Sequence, residues 1–266
     1  MFTQAQQRSV LGHPWRIAAL GAIVANVLFN YISSRGNSVG KISDDYPSLF
    51  TPAGYAFAIW GLIYAASLLY SVMALLPNQL EVRMHDRVAP WLLAVNVLSS
   101  VWILAFTNES FGASVLIILA MLAVAIVMYV RAAAHVKSEE MSLWWRVPFG
   151  LWLGWLSVAT IANIGIALLA AGWDGSPLSQ PVWASLMLCV AAGLALAVNI
   201  LYKDPVVPLV VTWAATAIAV ARWEDSTLVA VIASLIALKS LIWAVITLVL
   251  RHVPPAPVYK KELGGL

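Results

Sequence analysis

The sequence predicts an all-α integral membrane protein with eight transmembrane helices, and three observations carry that expectation. Hydrophobic residues make up 62% of the chain and charged residues only 10%, with a mean hydropathy of +0.88, a composition suited to hydrocarbon as solvent. Apolar stretches of the length that crosses roughly 30 Å of bilayer core as helix recur near residues 15–34, 52–76, 90–106, 113–131, 147–171, 182–202, 206–222 and 227–250. The cations, finally, are segregated between alternate loops. With the N-terminus inside, Arg8, Arg16, Arg83, Arg87, Arg131, Lys137, Arg146, Lys203, Arg251, Lys260 and Lys261 fall on the cytoplasmic side, and only Arg35, Lys41 and Arg222 outside. This bias follows the positive-inside rule, and an odd number of spans would scramble it. Both termini are therefore expected in the cytoplasm, and the lack of a recognisable transit peptide favours a bacterial cytoplasmic membrane.

The first span, with Arg8 and Arg16 ahead of it, runs longer than a signal-peptide core and reads as a retained helix. It carries Asn26 and Asn30, four apart on one face; unpaired amides are costly in lipid, so both are expected to face other helices. The outside loop that follows, "RGNSVGKISDDYPSLFTPAG", is polar and ends in two prolines, which suits an ordered lid or a plain loop about equally. Span two opens with "LFTPAGYAFAIWGLIY", where Phe57, Trp60 and Tyr64 share a face and Tyr55 stands at the mouth. Span three places Asn96, Ser99, Trp102 and Phe106 one turn apart. Span five aligns Trp152, Trp155, Ala159 and Asn163. The phrases "VANVL", "AVNVL" and "AVNIL" in spans one, three and six are cheap to produce by chance in such helices and are not read as a repeat. Cys189 in span six has no partner for a disulfide within the chain and reads as packing.

Inside the membrane the ionisable groups are few, and their scarcity weakens several functional classes. All twelve carboxylates map to loops, tails or span ends, and all four histidines to cytoplasmic segments. Proton-coupled transport, intramembrane metalloprotease chemistry and haem ligation each need such groups at depth. Lys239, near the middle of span eight, has two readings: a counter-charge for an anionic ligand, or a lysine at a helix contact or snorkelling to the interface. The net charge of +3 comes from membrane-flanking cations and gives no support to nucleic-acid binding.

Thirteen tryptophans exceed what an interfacial belt needs. Trp15, Trp91, Trp144, Trp145, Trp173, Trp183 and Trp223 sit at span ends, whereas Trp60, Trp102, Trp152, Trp155, Trp213 and Trp243 lie deeper. Any single deep ring is most simply helix packing. Aromatic stripes on three helices instead suggest a cleft for a flat apolar ligand, oriented by Asn163, Asn96 and Tyr64.

At these residues the chain resembles the tryptophan-rich sensory protein or translocator protein family (TspO/MBR). Thr51, Pro52, Gly54, Tyr55, Phe57, Trp60 and Tyr64 stand where that family has a Pro-rich turn and aromatics opening its second helix; Trp102 with Phe106, and Trp155 with Asn163, match further motifs. Two departures stand out: Ser99 where an Asn is usual, with Asn96 one turn earlier, and Pro148 seven residues before Trp155 where four is usual. The resemblance covers residues 15–171, the family's whole five-helix fold. It implies a cytoplasmic segment 1–14, a TspO-like five-helix domain 15–171, three additional helices in 172–250 and a cytoplasmic tail 251–266. The three extra helices would cover the bundle, form a homodimer contact or add a cavity of their own.

The function so implied is a non-enzymatic receptor or sensor in the lipid bilayer. It would bind porphyrin or sterol-like molecules beneath the 35–50 loop, without a cofactor or metal, using Tyr55, Phe57, Trp60, Tyr64, Trp152, Trp155 and Asn163 as walls, with Asn96 and Trp102 behind. Slow photo-oxidative breakdown of a bound porphyrin is the only chemistry the resemblance adds. The alternative is a transporter of such ligands, and a structural membrane protein without a ligand is a third reading.

Overall fold

Proline and left-handed residues set several helix boundaries in this chain, as the computed structural model makes plain; it describes residues 10–33, 38–46, 48–138 and 142–251. Arg8, Arg35, His252, Glu139, Glu140, Lys260, Lys261 and the proline-rich tail lie outside the described residues, as do the side chains of Lys137 and Arg251. Among the described residues all regular structure is helical: α1 (Pro14–Ser33), α2 (Val39–Asp45), α3 (Ile59–Met73), α4 (Arg83–Thr107), α5 (Phe111–Ser138), α6 (Val147–Ala170), α7 (Gln180–Tyr202), α8 (Val206–Arg222) and α9 (Thr227–Arg251). Pro14 opens α1, and Pro148 and Pro181 sit in the first turns of α6 and α7, where a missing N–H costs nothing. Lys203 ends α7 with φ 52° and Glu109 closes the α4–α5 turn with φ 56°, both in the region that usually takes glycine.

Among the described residues, seven helices are long and apolar enough to cross a membrane. The eighth expected span, α8, has 17 residues, about 25 Å of helix, because Asp204–Pro205 breaks the chain before it and a turn at residues 223–225 follows it. It falls short of the roughly 30 Å core. Helix α1 packs on α3 and α4, α4 on α5, α5 on α6, and α6 back on α3. Helices α7, α8 and α9 pack on one another, and α8 docks on α6. That last contact uses Gly150 and Gly154: an added Cβ would lie 3.1 Å from Val206 Cβ and 2.9 Å from Val210 Cβ. The glycines are four apart, the small-residue spacing by which membrane helices approach closely.

Several expectations about charge are corrected by the packing. Helix α4 starts seven residues before the expected span, which carries His85 and Asp86 into the helical body, with His85 buried against Tyr70. Arg16 is no free membrane-flanking charge. It is 2% exposed, grips both oxygens of Asp86 at 2.7 and 2.8 Å, and donates to the carbonyls of Ala74, Gln79, Leu80 and Val82. One guanidinium thus ties the end of α3 to the following turn, sharing Gln79 O and Val82 O with the backbone donors Val82 N and His85 N. Asp204, expected in a loop, is 1% exposed, with Tyr129 donating to it at 2.7 Å and Arg146 Nε 3.0 Å away. Cys189 is exposed, so it is not core packing. Lys239 lies on the exposed outer side of α9 and lines none of the cavities described below.

Candidate functional site

The aromatic stripes converge because three helices present them inward at one level. Residues 51–53 run extended, as Thr51 must before Pro52, and a 3-10 turn, Gly54–Ala58, leads into α3. Two hydrogen bonds pin that turn to α8: Ala53 N to Ala217 O at 3.1 Å, and Trp213 Nε1 to Ala56 O at 3.0 Å. With three residues per turn, the 3-10 geometry separates Tyr55 from Phe57 by two thirds of a turn. Phe57 therefore faces inward, while Tyr55 is 46% exposed and meets Trp213 edge-on at 5.4 Å. The expected mouth residue stands outside the chamber.

Trp60 is the hub. Its ring lies 5.7 Å from Tyr64, 6.1 Å from Trp102, 5.6 Å from Trp152 and 6.2 Å from Trp155, within the range of favourable aromatic pairs. Phe57 meets Trp155 edge-on at 6.0 Å. Phe57, Trp60, Trp102, Trp155 and Asn163 all line one cavity, together with Thr51, and Val39 and Ser43 of α2 close it from the loop side. Tyr64, Trp152 and Asn96 form a layer behind. There Tyr64 Oη is 3.3 Å from Ser99 Oγ, Trp152 Nε1 donates to Ser67 Oγ at 3.0 Å, and Asn26 Nδ2 donates to Asn96 Oδ1 at 3.0 Å. Asn96 thus holds α1 to α4. The similar phrases of spans one and three place these two asparagines in contact, and Asn30 donates back to Asn26.

A polar relay crosses the chamber wall. Trp102 Nε1 donates to Asn163 Oδ1 at 2.8 Å, Asn163 Nδ2 donates to Ser114 Oγ at 2.9 Å, and Ser114 Oγ donates to Phe111 O at 2.9 Å. It joins α4, α6 and α5 and fixes the plane of the Trp102 ring. By contrast Trp155 Nε1 and Thr51 Oγ1 are buried without a hydrogen-bond partner among the described residues, a costly condition that marks both as handles for a bound group.

The chamber is shut. Its volume is about 20 Å³, room for a single water. Helix α2 is the closure: Ser38 caps it by accepting from Lys41 N, and Tyr46 just beyond it donates to Glu109 Oε2 at 2.7 Å. Tyr46 also packs edge-on against Phe111 at 4.8 Å. The Glu109 carboxylate, by accepting the phenol proton, raises the Tyr46 pKa above its ordinary value. Beyond Tyr46, Ser48 rests on Gly165 of α6, where a Cβ would come within 3.0 Å of Ser48 Oγ.

Ser114, Glu109, Tyr46 and Gly165 escaped sequence reading. Their types are common and their partners lie 49 to 117 residues away; only the positive φ of Glu109, a structural property, singles one out.

A family model described as TSPO-like protein matches residues 15–250, a span that takes in α7, α8 and α9 as well as the earlier helices. No characterised protein and no solved structure matches. A many-helix membrane chain with this aromatic chamber and a family match over most of its length belongs to the TSPO-like family.

Proposed function

We propose that the protein is a non-enzymatic membrane receptor or sensor whose chamber takes a flat lipophilic ligand of porphyrin or sterol type. The observation that carries this reading is the lining: three indoles, Trp60, Trp102 and Trp155, with two buried polar atoms, Trp155 Nε1 and Thr51 Oγ1, that have no partner among the described residues. Rings supply stacking area, and the N–H and O–H supply donors to a carbonyl or carboxyl at the ligand edge. The lining holds no titratable side chain, which supports binding over catalysis. We read α1 and α3–α6 as a five-helix bundle that carries the chamber, with α7–α9 packed beside it inside the same family match. Eight crossings, with α8 accommodated by local thinning of the bilayer, keep both termini cytoplasmic and the cation bias intact.

Protoporphyrin titrated into the protein in nanodiscs, followed by intrinsic Trp emission with free tryptophan amide as inner-filter control, tests the reading. Saturable quenching weakened by Trp60→Ala, Trp155→Ala and Asn163→Ala is expected. Quenching equal to the control, or unchanged in all three variants, would refute it.

One observation favours a transport reading beside this one. A cleft of about 860 Å³ runs between α3 and α8, and its wall includes Ala58, Ile59 and Leu62, interleaved with chamber residues Phe57 and Trp60. A single helical turn separates chamber from cleft. Saturable porphyrin flux into sealed liposomes, abolished by Trp60→Ala, would select transport; binding without flux selects the receptor.

A further inference from the structure

A second cavity lies on the other side of α6 from the aromatic chamber. Its volume is about 300 Å³, at the lower end of small-molecule sites. Ile161, Ile164 and Gly165 of α6 form one wall, whereas Ala162, Asn163 and Ile166 of the same turns line the aromatic chamber. Trp183 and Met187 of α7 form the facing wall, and Trp173 closes the end.

The two tryptophans are held for a ligand and not merely exposed. Trp183 Nε1 donates to Gly175 O at 2.7 Å and Trp173 Nε1 to Ser176 O at 3.1 Å. The ring centroids are 5.8 Å apart at an interplanar angle of 59°. Both indole N–H groups are therefore satisfied by the 172–179 turn, so the rings offer fixed apolar surface with no donor of their own. That turn is itself shaped by Gly172 and Gly175, at φ 83° and 102°. No charged side chain lines the space, and its polar side chains are Gln180 and the buried Ser48. Met187 adds a polarizable thioether, which favours aromatic partners. Leu168, 40% exposed, and the half-buried Ile161 and Ile164 leave the side toward lipid accessible.

We propose that this space is a second ligand site, taking a small uncharged fused-ring molecule that partitions into it from the bilayer. Two fixed indoles, a thioether and one hydroxyl match such a molecule, and the absence of charge in the lining excludes ions. The site is independent of whether the chamber binds porphyrin. Its third wall is the segment Ser48–Phe50, which continues directly into the chamber residues Thr51 and Pro52, so an occupant touches the loop segment that follows the α2 closure.

The test uses 1-aminoanthracene, whose emission rises in apolar surroundings, titrated into the full chain in nanodiscs with protein-free nanodiscs as the blank. Saturable binding above the blank is expected, unchanged in Trp60→Ala and weakened at least tenfold both by Ile164→Trp, which fills the space from a half-buried position, and by Trp183→Leu, which removes a wall. Circular dichroism confirms that each variant is folded. Uptake no better than the blank, which is what occupation by lipid chains alone would give, overturns the proposal. So does saturable binding that ignores both Ile164→Trp and Trp183→Leu, or that Trp60→Ala abolishes, since the probe would then sit in the aromatic chamber.

Discussion

Replacing Asn163 by Leu tests whether the relay holds the chamber wall. Leucine keeps nearly the same volume, so the perturbation is the loss of two interhelical bonds, 2.8 Å from Trp102 and 2.9 Å to Ser114. In membrane proteins such bonds average about 0.6 kcal/mol and reach about 1.7, because the unfolded chain in lipid also finds partners. The substitution should therefore cost about 1–3 kcal/mol. Ser114 keeps its bond to Phe111 O, so the group left orphaned is Trp102 Nε1, buried at 4% exposure. Trp102→Phe removes that N–H. A double-mutant cycle between the two, measured by reversible SDS unfolding in mixed micelles with circular dichroism, should return a coupling of about 0.6–1.7 kcal/mol. The comparison pair Asn163→Leu with Ser67→Ala, whose Oγ serves Trp152 and not Trp102, should be additive to about 0.3–0.5 kcal/mol. Coupling no larger in the first cycle than in the second would refute the relay.

Arg16→Met should cost about 1–3 kcal/mol, since it takes the donor from buried turn carbonyls, while the Asp86 side chain, 45% exposed, returns to solvent; Asp86→Asn should cost less, because Arg16 keeps four carbonyl acceptors, and equal costs in the same unfolding assay would remove the clamp. Gly154→Ala puts a Cβ 2.9 Å from Val210 Cβ and should cost about 1–3 kcal/mol by overpacking, recovered at least in part by Val210→Ala; a neutral Gly154→Ala would mean α8 docks loosely. Tyr46 carries the pH dependence of the closure. Its pKa is raised in the folded protein, so the Tyr46–Glu109 contact contributes fully below the ordinary tyrosine range and is lost as pH rises through the raised value, above about pH 10. The tyrosinate absorbance of wild type minus Tyr46→Phe should show that displaced titration, and Glu109→Gln should bring it back; an ordinary midpoint in wild type would exclude the contact.

What the sequence made legible was periodic. Phe57, Trp60, Trp102, Trp155 and Asn163 repeat at helical spacing, and helices that bury one face bring such stripes together, so five of the nine expected residues line one cavity. Tyr55 was misplaced because it was read from its position at the entrance of span two and not from a shared face; two residues before the inward Phe57, it points away from the chamber to Trp213. Arg16 and Asp204 were read as surface charges because composition cannot tell a cation in a headgroup layer from one whose partner arrives 70 residues later, as Asp86 does. The docking of α8 was readable in principle from Gly150 and Gly154, four apart, but a glycine pair names no partner. The closed state of the chamber was not readable at all, since it depends on how α2 lies over it.

That closed state constrains any binding function. A ligand of several hundred Å³ cannot occupy about 20 Å³, so something must move. The rings are poor candidates, because Trp60 alone meets four others and each pair contributes about 0.5–1.5 kcal/mol. Helix α2 is the better one: at seven residues it is far below the length at which a helix stands alone, and its tether to Glu109 is exposed. On the proposed reading, binding is therefore linked to displacement of α2, and whatever favours the displaced state raises affinity. Glu109→Gly separates this from a rigid pocket. It removes the acceptor of Tyr46 while relieving the left-handed backbone at φ 56°, so the protein should stay folded with a looser closure. Stopped-flow quenching by protoporphyrin should then show faster association and tighter binding than wild type. If α2 stays in place and ligand reaches the chamber by another route, for example from the cleft beside Ile59, both rate and affinity will be unchanged in Glu109→Gly, and the linkage to the loop is refuted.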